Sequence, residues 1–390
     1  MYNGKIRIMM IKHSKGRFAA VVVAAMLAAC GGGGDGGSAS TGTSNPGAGN
    51  GAGSGSTNGG SASAALPPQT SVPNPTYGAA SAEAQAFATL NAYRQALGVG
   101  LLRQDAVLDI AALAHAKYEL TNLGSGAISG LAHDESSSLP GFTGSWPLQR
   151  AQAAGAPKNQ WVGENIGSAF AATPPGTPGA DCVNQLLATV YHLQGVTSNT
   201  ESVGVGVAST TPTATTPGVG SVCVFDLGTS TGVARNPDPN NPTDVNASPA
   251  SGGQQFATNL VVSSPYDGET GVSTTMVTET PNPAPDLSAP GRPIMVRVNA
   301  ATGNTLTVSS FQLVDSTGGA VAARILVPQS AVAGSTAKVT ADSNNILFAG
   351  VAFLLPLSPL KPNTTYTVTF SGARDGVAVS VTRTFTTGAK

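Results

Sequence analysis

Two long stretches of this chain hold almost nothing that a hydrophobic core needs, and they divide the rest. Residues 31–76 are Gly, Ser, Ala, Asn and Pro with scarcely a large apolar side chain. Such a segment cannot bury enough surface to offset the entropy of ordering it, so 30–76 is expected to be a flexible tether. A second polar stretch rich in Pro, Asn and Gly, 231–256, is expected to be a linker. The apolar periodicity lies in 77–230 and 257–390, and a 390-residue chain of this kind is expected to form two domains.

The N-terminus is basic, then apolar. Lys5, Arg7, Lys12, Lys15 and Arg17 precede an apolar run over 18–29, long enough for the core of a secretion signal and short for a bilayer span. The run closes on Leu27-Ala-Ala-Cys30, which resembles the bacterial lipoprotein signal. The resemblance implies removal of residues 1–29, a diacylglyceryl group on the Cys30 thiol and an acylated new amine; several acyl chains together give durable membrane anchoring. Gly31 and Gly32 stand where an aspartate often marks inner-membrane retention, so the resemblance implies an outer-membrane lipoprotein of the bacterial cell envelope. Ordinary secretion with an incidental cysteine is the alternative.

Only 10% of the residues are charged. Without the five basic residues of the leader, 14 basic side chains face 20 acidic ones, a net charge of −6. This is no basic footprint, and nucleic acid is excluded as an expected partner. Besides Cys30 there are two cysteines, Cys182 and Cys223. In an oxidising compartment they are expected to pair as a disulfide, with two separately buried thiols as the alternative.

In 77–230, Ser81 is placed to cap a helix carrying Phe87, Leu90, Tyr93 or Arg94, and Leu97, ended by Gly98 and Gly100. Asp105 is placed to cap a second helix with Leu108, Ala111, Ala112, His115 and Tyr118 near one face, fading at Gly124. A third helix is expected over 181–191. The alternating segments 202–208 and 221–227 read as a β-hairpin. Helices first and paired strands later predict a layered α+β domain. Past residue 256, strands are expected at 294–298, 305–314, 321–327, 338–341, 346–353, 365–371 and 379–385, a small all-β sandwich.

Three histidines follow the leader, at 115, 133 and 192. His133 stands in Leu131-Ala-His-Asp-Glu135, in a glycine-rich loop. Glu164 stands in Gly163-Glu-Asn-Ile166, after Trp161, and His192 follows Tyr191 at the end of the third helix. By spacing alone they match no short zinc motif. His115, on a helical face, reads as structural, and Asp134 and Glu135 as a solvated loop edge.

Taken together, Leu90-Asn-Ala-Tyr-Arg-Gln95, Leu108-Asp-Ile-Ala-Ala-Leu-Ala-His-Ala-Lys-Tyr118, His133, Gly163-Glu-Asn-Ile166, His192 and Val203-Gly-Val-Gly206 resemble the cysteine-rich secretory, antigen 5 and pathogenesis-related superfamily, the CAP or SCP domain, in its bacterial form. The resemblance implies a three-layer α-β-α sandwich with a cleft lined by two histidines and acidic residues, which in some members binds zinc or another divalent ion. Carried over, His133 and His192 are the paired histidines and metal candidates, and His133, Glu164 and His192 are the catalytic candidates, with Glu164 orienting an imidazole or a water. Asn165 secures the loop. The family's second acidic residue has no clear counterpart; Asp181 is a weak candidate and equally a helix cap. Leu186 and Leu193 stand near the positions where the bacterial pattern has tryptophan and arginine, a departure that puts any shared chemistry in doubt.

The last domain resembles bacterial immunoglobulin-like modules, through Pro265-Tyr-Asp-Gly268, Thr307-Val-Ser-Ser-Phe-Gln-Leu313, Leu360-Lys-Pro-Asn-Thr-Thr-Tyr366 and Thr384-Phe-Thr-Thr387. This implies a spacer or adhesion module without chemistry of its own. The functional expectation is a lipid-anchored envelope protein that binds a lipid, peptide, glycan or protein through the His/Glu cleft. The alternatives are a metal-dependent hydrolase at the same cleft, with Glu164 as base, and a purely structural or adhesive surface protein.

Overall fold

The computed structural model describes residues 65–170, 177–210, 219–241 and 251–389; the leader, Cys30 and the tether up to residue 64 lie outside them. The described chain is a mixture of helices and strands with three β-sheets, strands predominating.

Local capping chemistry sets the first helices. The Ser81 hydroxyl accepts the Ala84 N–H at 3.1 Å and opens α1 (Ala82–Leu97), which stops at Gly98 with φ 72°. Asp105 accepts from the N–H groups of Val107 and Leu108 at the start of α2 (Ala106–Ser125), which stops at Gly126. A short α3 (Pro147–Ala153), not expected from the sequence, begins on proline, whose missing N–H costs nothing in a first turn. The single helix expected over 181–191 is broken into α4 (Pro178–Leu187) and α5 (Tyr191–Val196). Asp181 is not a cap; it sits inside the first turn of α4 and accepts the Thr177 hydroxyl at 3.2 Å.

These helices pack on a four-stranded sheet of β1 (Arg103–Gln104), β2 (Trp161–Phe170), β3 (Ser202–Ser209) and β4 (Val219–Thr229), in the order β1-β3-β4-β2. The alternation in β3 dictates what lies on each face. Val203, Val205 and Val207 enter a core with Phe87, Leu90, Val183 and Leu186. Gly204 and Gly206 point the other way, where α2 passes so close that a Cβ at either position would collide with the backbone of Leu108 or Leu113. Cys182 on α4 and Cys223 on β4 form a disulfide, their Cα atoms 6.3 Å apart.

The C-terminal half contains β5 (Val262–Ser264), β6 (Glu269–Val272), β7 (Ile294–Arg297), β8 (Leu306–Asp315), β9 (Ala323–Val327), a turn of helix α6 (Gln329–Val332), β10 (Val339–Ala341), β11 (Val351–Pro356), β12 (Thr365–Arg374) and β13 (Val377–Thr387). They form a five-stranded sheet, β10-β9-β11-β7-β5, and a four-stranded one, β6-β13-β12-β8. The two face each other across a core that includes Val296, Leu313, Leu354, Val368 and Phe370. The strand expected over 346–353 starts late, at Val351. The Asp342 carboxylate accepts the N–H groups of Ile346 and Leu347 at 2.7 and 3.0 Å and holds that stretch in a loop.

The largest departure from expectation is the junction between the halves. Met295, Leu326, Val351 and Phe353, on the outer face of the five-stranded sheet, share one core with Phe87, Leu193 and Val196 of the first half. The described residues from 65 to 389 accordingly belong to one compact unit. Polar contacts reinforce the join: Tyr93 Oη lies 2.6 Å from Ser264 Oγ, Tyr191 donates to Asp342 at 2.6 Å, and Gln194 donates to the Ile346 carbonyl while accepting the Phe348 N–H. The described ends of the expected tether and linker belong to this body. Leu66 bridges to Gln254, and Gln254, fully buried, accepts the Gln69 N–H and donates to the carbonyls of Leu101 and Thr200. Composition hides this because the segments are fixed by amide hydrogen bonds rather than by apolar burial. Among the described residues no helix is long and apolar enough to cross a membrane.

Because both tryptophans, Trp146 and Trp161, lie in the first half and Phe353 in the second, tryptophan fluorescence tests the shared core. Phe353→Ala is expected to lower the stability read by that fluorescence in denaturant by about 3–5 kcal/mol, in a single transition. Unchanged fluorescence unfolding beside a shifted far-UV transition would show two independent halves.

Candidate functional site

The edge strand β2 organises the site. Its alternation places Trp161, Gly163 and Asn165 on the face toward α4 and α5, and Val162, Glu164 and Ile166 on the face toward α2 and α3. The Trp161 indole lies directly over Gly163, and a Cβ there would strike the ring unless the indole moved. Glu164 projects into a buried set of charges.

That set explains how His133 is held. The His133 Nδ1 lies 2.9 Å from Glu164 Oε1, while Arg150 donates to Glu164 Oε2 at 2.7 Å and to the His133 carbonyl at 3.0 Å. Arg150, fully buried on α3, thus ties both side chain and loop. Sequence reasoning missed it; the available signal was a lone arginine in an otherwise uncharged helix. Glu135, expected at a solvated loop edge, is instead buried: it lies 2.8 Å from His115 Nδ1 and accepts the Thr143 N–H at 2.6 Å. The loop closes over α2 because this histidine needs a carboxylate. Asp134 remains exposed, as expected.

His115 sits between two acceptors, Glu135 and the Ala132 carbonyl 3.0 Å from its Nε2, so both ring nitrogens must donate and the ring is a buried imidazolium. Burial pushes its pKa down, but the charges of Glu164 and Glu135 reverse this and raise it. Burial would raise the Glu164 carboxyl; Arg150, His115 and His133 outweigh it and hold Glu164 well below the usual carboxylate range. Glu119 and Asp226 are fully buried beside them, and no oxygen of either has a hydrogen-bond partner among the described residues. Burial pushes Glu119 from 4.5 to about 7, and burial with the Glu164 charge pushes Asp226 well up. The cluster thus sets the Arg150 guanidinium and the His115 imidazole against the carboxylates of Glu135 and Glu164, while burial favours the protonated form of Glu119 and Asp226.

His192 approaches from α5, and its carboxylate comes from the other half of the molecule. Glu279, nearly fully buried, accepts the backbone N–H groups of Val190, Tyr191 and His192 and lies 2.9 Å from His192 Nδ1. Sequence reasoning missed this carboxylate; Asp181, the weak candidate, does not line the cleft. The spacing of 87 residues and the intervening polar stretch concealed it.

His133, Trp161, Glu164, Asn165 and His192 line one cavity of about 630 Å³, whose other wall is Arg297 and residues 345–351. The expected spacer therefore forms part of the site. Ile346 and Phe348 present apolar surface in that wall. Neither His133 Nε2 nor His192 Nε2 has a partner among the described residues.

The donor set does not fit a resident divalent ion. Among the described residues no group of three or more His, Cys, Asp or Glu side chains is placed to hold one. Glu164 is engaged by His133 and Arg150, and Glu279 by His192 and three backbone N–H groups, which leaves two imidazole nitrogens where a structural or catalytic zinc takes at least three protein ligands.

Compared with known proteins, the chain matches no family model and no curated sequence.

Two measurements test this geometry. Calorimetric zinc titration of the folded chain is expected to give no stoichiometric binding that His133→Ala and His192→Ala both abolish; such binding would establish a third ligand. Stability also depends on pH with a defined sign. Glu119, Asp226 and His115 all have raised pKa values in the fold, so what they contribute is complete at low pH and lost as pH rises, for Glu119 between about 4.5 and 7. Glu164, being depressed, contributes in the opposite direction, losing its part only as pH falls below the usual carboxylate range. The melting temperature is expected to fall from pH 5 to pH 8, and Glu119→Gln to flatten that slope; an equal slope in the variant would remove Glu119 from the account.

Proposed function

We propose that this chain is a lipid-anchored binding protein of the bacterial envelope, of the CAP type, which takes its ligand in the cleft between its two halves. The observation that carries this reading is that His133 and His192 line one cavity, each backed through Nδ1 by a buried carboxylate. A concave cleft with apolar walls and a few oriented polar groups is the usual form of a small-ligand site. Helices on both faces of the first sheet, and the order of motifs along it, support reading residues 77–230 as an α-β-α CAP sandwich. Two facing sheets support an immunoglobulin-like reading of the C-terminal half. The anchor is proposed at Cys30, with sorting to the outer membrane, from the sequence of the leader.

Metal-assisted hydrolysis is less well supported. A general base should titrate near the working pH, whereas Arg150, His115 and His133 hold Glu164 ionised far below it, against its burial.

Saturation-transfer NMR on the unlipidated mature chain, with neutral oligosaccharides, short peptides and fatty acids as probes, tests the binding reading. One class is expected to bind, with affinity reduced about tenfold or more in both His133→Ala and His192→Ala. Binding unaffected by either change, or no binding by any class to the folded protein, would leave a structural or adhesive role instead.

A further inference from the structure

The two cleft histidines are built alike but from different parts of the chain. The His133 Nδ1 faces Glu164 at 2.9 Å, and the His192 Nδ1 faces Glu279 at 2.9 Å. Each carboxylate is itself held in place, Glu164 by Arg150 and Glu279 by three backbone N–H groups. An ionised carboxylate can only accept, so each Nδ1 must carry the proton. A neutral imidazole with Nδ1–H has a lone pair at Nε2. Both histidines line the cavity, and neither Nε2 has a partner among the described residues. With both imidazoles neutral, the cleft offers a ligand two hydrogen-bond acceptors at Nε2, and a ligand that brings donors fits them.

The remaining surface narrows the ligand further. The Trp161 indole, fixed by its contact with Gly163, is partly exposed in the cleft, and Ile346 and Phe348 show 36% and 44% of their surface nearby. Gln194 is already bonded to Ile346 and Phe348 backbone groups, and Asn199 to Arg297. A ligand with hydroxyl groups on its edge and an apolar C–H face matches both features: the hydroxyls donate to the imidazoles and the face lies on the aromatic wall.

We infer that Glu279 is a positioning residue that fixes His192 as the second acceptor, so that both halves build the site and its ligand is a neutral saccharide held through its hydroxyl groups. This rests on the binding reading above. The C-terminal half is then a constituent of recognition. Glu279→Gln is the informative change. Glutamine keeps the shape and a carbonyl for the backbone N–H groups, but its amide turns a donor toward His192 Nδ1. His192 then has to accept at Nδ1 and carry its proton on Nε2, where it no longer accepts from the ligand.

The test is ¹⁵N NMR of the imidazoles at pH 8 in the wild-type mature chain and in Glu279→Gln, together with titration of both with neutral tri- and tetrasaccharides. The expected result is an Nδ1–H tautomer at both His133 and His192 in the wild type. The variant shifts His192 alone toward Nε2–H and binds saccharide about tenfold more weakly, with its melting transition retained. A His192 already in the Nε2–H form in the wild type, or one unmoved by Glu279→Gln, overturns the positioning role. Peptide or fatty-acid probes that bind in the cleft while saccharides do not overturn the ligand class and leave the binding reading standing. Failure of all three probe classes overturns both. If Glu279→Gln does not fold, His192→Gln, whose amide also donates, serves in its place, and saccharide affinity equal to wild type overturns the inference.

Discussion

Everything else in this molecule depends on the double-sided burial of the five-stranded sheet. A strand with one buried face alternates apolar and polar; β7 and β11 are buried on both, Phe353 and Met295 turning toward the helices while Val296 and Leu354 turn toward the opposite sheet. That outer face would be a large exposed apolar patch if the C-terminal half stood alone. Covering it brings α5 against the loop over 342–348, and this apposition creates the cleft and delivers Glu279 to His192.

Burial of charge follows from the same economy of surface. A chain with so few charged residues nevertheless places a cluster of six beneath one edge strand, two basic and four acidic side chains, two of which burial pushes toward the protonated form. Unpaired, any of them would carry a desolvation cost of several kcal/mol. Paired, they orient His133 through Glu164, whose own position Arg150 fixes from behind. Two further cations, Arg94 and Arg297, are buried with neutral acceptors only: Arg94 donates to the carbonyls of Gly100, Val196 and Ser198, and Arg297 to Thr197 and Asn199. Burial, and for Arg94 the charge of Arg297, pushes Arg94 down to about 9; burial pushes Arg297 down to about 10. Together they fasten the turn after α5, and with it the cleft floor.

What was legible in the sequence was local. Ser81 and Asp105 mark helix starts because a side-chain oxygen can reach N–H groups two or three residues on, and Gly98 marks a stop because only glycine adopts the left-handed turn without strain. The hairpin of β3 and β4 follows from strict alternation. The boundary of β11 was misread because a carboxylate four to five residues upstream, Asp342, takes up the backbone of an apolar run. Of the site, His133, Glu164 and His192 were found through their motifs, whereas Arg150, Glu135 and Glu279 were not. Their roles come from partners 14 to 87 residues away, and no periodicity encodes such pairs.

The amino-acid sequence by itself determined the helix caps, the alternating strands, the cysteines available to pair and the histidines available to line a cleft, since each depends on chemistry within a few residues. Only the tertiary structure decided that the C-terminal half forms a wall of the cavity, that Glu135 is buried, and that the carboxylate behind His192 is Glu279. These are consequences of which apolar faces find each other. A buried polar side chain acquires its role only after that packing has excluded water and chosen its partner.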